Sequence, residues 1–275
     1  VTTSTVREQI DRALAFVRAR SDLKPRVGMI LGTGLGDVSG AVDEAVRIPY
    51  EEIPGFAHST AESHVGELIL GTIKGTPVVT MNGRVHFYEG YTMKQVSFPV
   101  RVMRALGAET LIVSNAVGGM NPLFRAGDIM AVTDHINLMG DNPLIGPNDD
   151  ALGPRFPDMS EPYDRRLLEM VEEVALEERI PLRRGVFIAV AGPNLESRAE
   201  YRMLRALGAD VVGMSLVPET IVAVHGGMKV LALSVITDEC FPDALEPAVI
   251  EKILAVAAGA EPSLKKLITR MLERL

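Results

Sequence analysis

Cys240 is the single cysteine in a chain of 275 residues. That excludes an internal disulfide framework and fits a reducing compartment. Metal-ligand spacing is missing as well. The five histidines (His58, His64, His86, His135 and His225) form no H-E-x-x-H or similar pattern, and Cys240 has no partner cysteine. No apolar stretch reaches the roughly 18–20 residues of a membrane span, and the first residues carry no signal-type apolar segment. The expectation is a soluble cytoplasmic protein. Positive charge is also in short supply: 28 Lys and Arg stand against 36 Asp and Glu, a formal net charge of −8. A nucleic-acid or anionic-membrane partner is disfavoured on electrostatic grounds, so any bound anion must be held by a local site. A serine-hydrolase elbow, G-x-S-x-G, is absent; Gly213-Met214-Ser215 continues instead as Leu216-Val217-Pro218-Glu219. There is no internal repeat, low-complexity tract or linker.

What is present is an alternation of strands and amphipathic helices. The spacing of Val6, Ile10, Ala13, Leu14 and Val17 predicts a helix over Thr5–Arg18. Strands are expected at Val27–Leu31, at Leu68–Ile73 and Thr76–Met81 as a hairpin, at Thr110–Val113, Ile129–Thr133, Gly185–Ala191, Val211–Met214 and Val230–Ile236. Helices are expected at Gln95–Leu106, Arg165–Arg179, Ser197–Leu207, Glu219–His225 with Pro218 in its first turn, and from Ala248 to Leu275. Residues 137–162 are rich in Asn, Asp, Gly and Pro without periodicity, and their length marks a functional loop. The fold class expected is α/β: a single domain over residues 1–275 with a mixed, twisted sheet flanked by helices.

Four strands run straight into polar or glycine residues, and in open α/β sheets ligands bind at such strand ends. The most informative is Ser114-Asn115-Ala116-Val117-Gly118-Gly119-Met120, after Leu111-Ile112-Val113. Gly32-Thr33-Gly34-Leu35-Gly36 follows Val27–Leu31; Asp37 stands where a dinucleotide fingerprint wants its third glycine, and no Walker lysine is present. It reads either as a tight turn or as an anion loop using Thr33 and backbone amides. Arg84 and His86 lie two apart beyond a strand, which puts both on one side of an extended backbone; a surface arginine beside a half-buried histidine is the plain alternative. His64 reads equally as a ligand contact or a loop histidine. Ser215, just before a helix, either caps it or binds an anion. Glu196 reads as a helix-start carboxylate or a site residue, and Asp238-Glu239 as a solvated loop pair or an acidic group at the last strand end. Taken jointly, several phosphate donors, nearby carboxylates and no metal-ligand pattern suggest transfer of a group to or from phosphate.

Six segments in order carry a resemblance: Gly32–Gly36, Asn82-Gly83-Arg84-Val85-His86-Phe87-Tyr88-Glu89-Gly90-Tyr91, Ser114–Met120, Gly153-Pro154-Arg155-Phe156-Pro157-Asp158-Met159, Ala191-Gly192-Pro193 and Gly213–Glu219. Over about residues 25–240 the chain resembles the trimeric purine nucleoside phosphorylases. The resemblance implies the nucleoside phosphorylase fold and reversible phosphorolysis: purine nucleoside plus phosphate gives free base plus ribose 1-phosphate. It implies no cofactor, inorganic phosphate being a co-substrate, and a homotrimer. By matching positions, the phosphate site is Thr33, His64, Arg84, His86, the backbone at Ala116, and Ser215. Tyr88 and Met214 match ribose-contacting positions. Glu196 matches the carboxylate that accepts hydrogen bonds from the base, with Asn115 and Glu89 in the same inner shell. Phe156 matches an aromatic that reaches into a neighbouring subunit's site.

Three departures bear on specificity. Members that prefer 6-oxopurines carry asparagine where this chain has Asp238, the residue expected to serve the purine N7 and 6-substituent. An ionised aspartate cannot donate to O6 but can accept from a 6-amino group, a difference of about 1–3 kcal/mol. The expectation is a preference for 6-aminopurine nucleosides such as adenosine. Ile250 stands at the family's histidine that contacts the ribose 5′-hydroxyl, which would also suit the 5′-methylthio group of a methylthioadenosine phosphorylase substrate. Leu195 replaces an aromatic that packs on the purine. The remaining alternatives are a non-catalytic nucleoside-binding protein and, at fold level, a nicotinamide oxidoreductase; the broken glycine fingerprint speaks against the second.

Overall fold

The computed structural model describes residues 5–32, 36–59 and 65–275. Thr33 and His64 lie outside the described residues. The chain opens with α1 (Val6–Arg18), capped by Thr5, whose side chain accepts from the Glu8 amide while the Glu8 carboxyl accepts from the Thr5 amide. Its buried residues Ile10, Ala13 and Val17 fall on one face. The strands that follow are β1 (Val27–Leu31), β2 (Asp43–Pro49), β3 (Glu67–Ile73) and β4 (Thr76–Asn82). Then come α2 (Met93–Leu106), β5 (Thr110–Gly119) and β6 (Ile129–Leu138). After the long connection, the chain forms α3 (Arg165–Glu177), β7 (Leu182–Val190), α4 (Arg198–Ala206), β8 (Val211–Gly213), α5 (Val217–His225), β9 (Lys229–Glu239) and α6 (Ile250–Leu272).

Among the described residues, nine strands join one mixed sheet in the order β2-β3-β4-β1-β5-β8-β7-β6-β9, with a further pairing of β5 to β9. That pairing closes β5, β8, β7, β6 and β9 into a ring, from which β1, β4, β3 and β2 extend as an open wing. The expected hairpin is there as antiparallel β3 and β4, joined through Lys74 and Gly75, both with positive φ. β1 is parallel to both β4 and β5 and buried along its whole length, as a strand covered on both faces must be. One large hydrophobic cluster spans the sheet and its helices. A smaller one gathers Met120, Ile188, Tyr201, Leu204, Ala209, Val212 and Cys240. Among the described residues, no helix is long and apolar enough to cross a membrane.

Several boundaries differ from the sequence reading for a common reason. β5 does not stop at Val113 but continues to Gly119, because β9 pairs with it in parallel from Thr110↔Lys229 to Gly119↔Glu239. The same ladder carries β9 through Asp238 and Glu239, so this pair is not a solvated loop. Likewise β6 runs on to Leu138 alongside β7. Ladder hydrogen bonds to a neighbouring strand thus hold small and polar residues whose local preference is for turns. β2, on the outer edge, was not read from the sequence; only Ile48 in it is buried. Pro218 is the second residue of α5, which begins at Val217.

Candidate active site

The site begins with a break in the sheet. Along one edge of β5, pairing with β1 ends at Ile30↔Val113 and pairing with β8 begins only at Gly118↔Val212. Residues 114–117 therefore have no strand partner on that edge among the described residues, although β9 pairs their other edge throughout. Backbone polar groups so exposed must be satisfied by side chains, water or a ligand. Gly32 makes this close approach possible: a Cβ there would sit 2.7 Å from the Ser114 carbonyl oxygen and 2.8 Å from the Asn115 Cα.

A cavity of about 200 Å³ occupies the break, and it is lined by Gly32, Arg84, His86, Tyr88, Asn115, Ala116, Val117, Gly118, Leu195, Glu196, Tyr201, Val212, Gly213, Met214, Ser215, Thr237, Asp238 and Ile253. Segments from β4, β5, β8, β9, the start of α4 and α6 thus converge on one space. Of the residues singled out from the sequence, Arg84, His86, Asn115, Ala116, Ser215, Tyr88, Leu195, Glu196, Met214 and Asp238 line it together. Phe156 does not. It is 86% exposed, on the long loop, in a separate depression with His135, Arg155 and Ile221. Ile250 is also outside, 60% exposed in the first turn of α6; the α6 residue that lines the cavity is Ile253.

One end of the cavity is cationic and rich in donors. Arg84 is buried, donates to the Ser114 carbonyl at 2.7 Å and lies 3.4 Å from the buried carboxyl of Glu219 on α5. Burial holds the Arg84 guanidinium below its ordinary value, an effect that Glu219 opposes; burial pushes Glu219 up, against the pull of Arg84. The preceding turn is tied down by Tyr50, whose hydroxyl donates to the Gly83 carbonyl at 2.8 Å. His86 is fixed by Glu89, which accepts from the His86 amide at 2.6 Å and lies 3.1 Å from ring Nδ1. Tyr88 stacks on the His86 ring at 4.8 Å between centroids. Asn115 is held on two sides: its Oδ1 accepts from Ser234 Oγ at 2.7 Å and its Nδ2 donates to Ser215 Oγ at 3.3 Å.

Ser215 owes its position to strained backbone. The next residue, Leu216, has φ 73° and ψ −53°, and the Val217 amide donates to the Ser215 carbonyl at 2.8 Å. This is a γ-turn with a fully buried leucine at its centre, a conformation that costs on the order of 1–3 kcal/mol. It turns the chain into α5 after a connection of only three residues from β8 and leaves the hydroxyl beside the helix N-terminus.

The other end of the cavity is acidic. Asp238 accepts from Thr237 Oγ1 at 2.9 Å on Oδ1 and from Cys240 Sγ at 3.0 Å on Oδ2. Burial pushes the Glu196 carboxyl above its ordinary value, with Asp238 adding to the rise. Register gives the separation of the ends: Arg84 is bound at Ser114 and Asp238 pairs with Gly118. Four residues of strand correspond to about 13 Å. Tyr201, Thr237, Ser234, Glu219 and Ile253 were not singled out as site residues. Only Glu219, inside a quoted motif, and Thr237, beside Asp238, carried a local signal; Tyr201, Ser234 and Ile253 look like ordinary helix and strand residues until the chain is folded. Among the described residues, no group of three or more His, Cys, Asp and Glu side chains is placed to hold a metal ion.

Comparison with known proteins agrees with this geometry. The family model of the phosphorylase superfamily matches residues 26–273. Purine nucleoside phosphorylase 1 of Bacillus subtilis is 49% identical over 263 residues, covering 96% of this chain and 97% of its own. The purine nucleoside phosphorylase of Mus musculus is 42% identical, with 98% and 95% coverage. The crystal structure of Schistosoma mansoni purine nucleoside phosphorylase in complex with adenosine superposes with a TM-score of 0.92 at 38% identity, over 98% of this chain and 97% of that one. The chain belongs to the purine nucleoside phosphorylases of the phosphorylase superfamily, enzymes that are pentosyltransferases.

Proposed function

We propose that this phosphorylase cleaves purine ribonucleosides and deoxyribonucleosides reversibly, giving free base and (deoxy)ribose 1-phosphate, with a preference for 6-aminopurines such as adenosine. The observation that carries the preference is Asp238: its two oxygens already accept from Thr237 and Cys240, so the carboxylate offers acceptors to the cavity. A 6-amino group donates to such a surface; a 6-oxo group meets it with like polarity. The adenosine complex of the Schistosoma mansoni relative is compatible with this reading.

In the reading, inorganic phosphate lies at the Arg84 end, bound by the guanidinium, the Ala116 amide, Ser215 and His86, with Thr33 and His64 completing its shell. The two-ended cavity suits the bond change. As the C1′–N9 bond breaks, positive charge grows on the ribose and its electron pair moves to the purine. The phosphate stabilises that cation and then forms the new C1′–O bond, so position and electrostatics do most of the work. The departing base takes up its proton at N7 from water reaching the acidic end, where Glu196 meets the base and the ionised Asp238 holds the 6-amino group as an acceptor. Tyr88 and Met214 flank the ribose between the two ends, and Leu195 borders the purine without stacking as an aromatic would. Arg84 supplies the charge that phosphate needs, so the reading requires no further cofactor.

The exposed Phe156 supports a homotrimer in which this ring reaches a neighbouring cavity. The single cysteine supports a reducing, cytoplasmic location. Ile253 favours a second reading: an apolar wall at the cavity suits a 5′-methylthio group, and Ile250 lies one turn before it on the same helix. The test is phosphate-dependent release of base from adenosine, inosine and 5′-methylthioadenosine, side by side. Adenine release in excess of hypoxanthine supports the Asp238 assignment, and the reverse overturns it. A higher kcat/KM for methylthioadenosine than for adenosine selects the second reading.

A further inference from the structure

Cys240 is a buried thiol that the reaction as described does not use. It follows β9 directly, and its amide donates to the Gly119 carbonyl at 2.7 Å, which pins it against the end of β5. From there its thiol donates to Asp238 Oδ2. Its other neighbour is the Tyr201 hydroxyl on α4, which also faces Glu196. The two carboxyl groups of the cavity are thus each touched by a buried hydroxyl or thiol, and that hydroxyl and thiol touch each other. Gly118 leaves room for the meeting: a Cβ there would sit 2.6 Å from Cys240 Sγ and 3.5 Å from Asp238 Oδ2. Burial, reinforced by the Asp238 charge, pushes the thiol pKa up, so sulfur keeps its proton and acts as a donor rather than a nucleophile.

We propose that Cys240 is a positioning residue that sets purine specificity: its S–H bond locks the second oxygen of Asp238, so that the carboxylate meets the 6-substituent of the base as an acceptor. The inference rests on the reading of Asp238 given above. A carboxylate tied at both oxygens cannot swing about its terminal torsion. One tied only by Thr237 can, and the Thr237 hydroxyl is itself shared with the Val117 carbonyl at 3.2 Å. Loss of the thiol therefore loosens the group that tells amino from oxo while leaving the phosphate end intact.

The experiment compares Cys240→Ala and Cys240→Ser, each with Asp238 intact and combined with Asp238→Asn, using adenosine and inosine as substrates. Cys240→Ala should lower the adenosine-to-inosine ratio of kcat/KM by about tenfold, the size of one hydrogen bond to a charged group. Cys240→Ser, which keeps a donor, should recover most of that ratio. In the Asp238→Asn background the Cys240→Ala effect on the ratio should shrink, because the charged acceptor is gone. A merely structural cysteine would depress both substrates together and leave the ratio unchanged. That result overturns the proposal, while an Asp238→Asn variant that still shifts the ratio would leave the base-site reading standing. If Asp238→Asn leaves the ratio unchanged, the base-site reading fails and takes the proposal with it. The wild-type chain supplies a readout independent of folding of the alanine variant. With one thiol in the sequence, its S–H stretching band is unique, and it should lie at the wavenumber of a strong hydrogen bond and move up in Asp238→Asn. A band at the position of a free thiol overturns the proposal.

Discussion

Arg84 Nη1 lies 3.4 Å from Glu219 Oε1, and both side chains are 2% exposed. The same guanidinium borders the cavity to which phosphate is assigned in the proposed function. Breaking such a pair from one side leaves an uncompensated charge and costs about 3–5 kcal/mol. Glu219→Gln should therefore destabilise the phosphate-free enzyme by that order. Phosphate would supply the missing negative charge, so the rise in Tm on adding it should be larger in the variant than in the wild type. Equal rises would show that phosphate does not meet Arg84.

Asp238→Asn exchanges a carboxylate for a group that both donates and accepts. The adenosine-to-inosine ratio of kcat/KM should fall by about tenfold to a hundredfold, corresponding to roughly 1–3 kcal/mol of polar mismatch. Steady-state kinetics with both substrates at one phosphate concentration reads the change. An unaltered ratio would remove Asp238 from base recognition.

Glu196 gives that preference a pH dependence. Burial, with a contribution from Asp238, raises its pKa, so its neutral form persists to higher pH than for an exposed glutamate. A neutral carboxyl can donate to the unprotonated N1 of a 6-aminopurine. The ionised form accepts from the N1–H of a 6-oxopurine. The sign follows: the adenosine-to-inosine ratio should be highest below the raised Glu196 pKa and fall as pH increases through it. Glu196→Gln, which donates and accepts at every pH, should flatten the profile. A ratio that rises with pH would contradict the assignment.

How far the sequence carried the reading depended on whether a residue's role is local. Capped helices such as α1, with Thr5 and Glu8, and the β3–β4 hairpin were legible because hydrophobic spacing and turn residues decide them. Arg84, His86, Asn115 and Ser215 were legible because they stand in segments that together resemble one family, Glu196 and Asp238 because they are carboxylates just past or at the end of a strand, and folding brings all six to one cavity. The length of β5 was not legible. Ser114 to Gly119 is a poor strand by propensity, and β9, more than a hundred residues later, holds it extended. Ser234 was invisible for the same reason: it is a serine in an apolar strand until Asn115 arrives opposite it at the Asn115↔Ser234 register. The γ-turn at Leu216 could not be read either, because a leucine at positive φ goes against its local preference and is held there by complete burial.

Gly32 is where fold and site meet most tightly. β1 ends against the unpaired edge of β5, with the Ser114 carbonyl oxygen and Asn115 Cα within 3 Å of where a Cβ would stand. Both obstacles are backbone, so a side chain cannot turn away to make room. Gly32→Ala must push β5 aside by several tenths of an ångström. The cost of overpacking is about 1–3 kcal/mol, and denaturant unfolding should show a loss of that size. The displaced residues also carry the carbonyl that orients Arg84 and the Ala116 amide assigned to phosphate. KM for phosphate should accordingly rise more than KM for the nucleoside, whose base is assigned to the Asp238 end beside Gly118, four residues further along the strand from Ser114. A variant that loses stability with both KM values unchanged would mean that the break in the sheet tolerates movement, and that the phosphate end of the cavity is set by something other than the approach of β1 to β5.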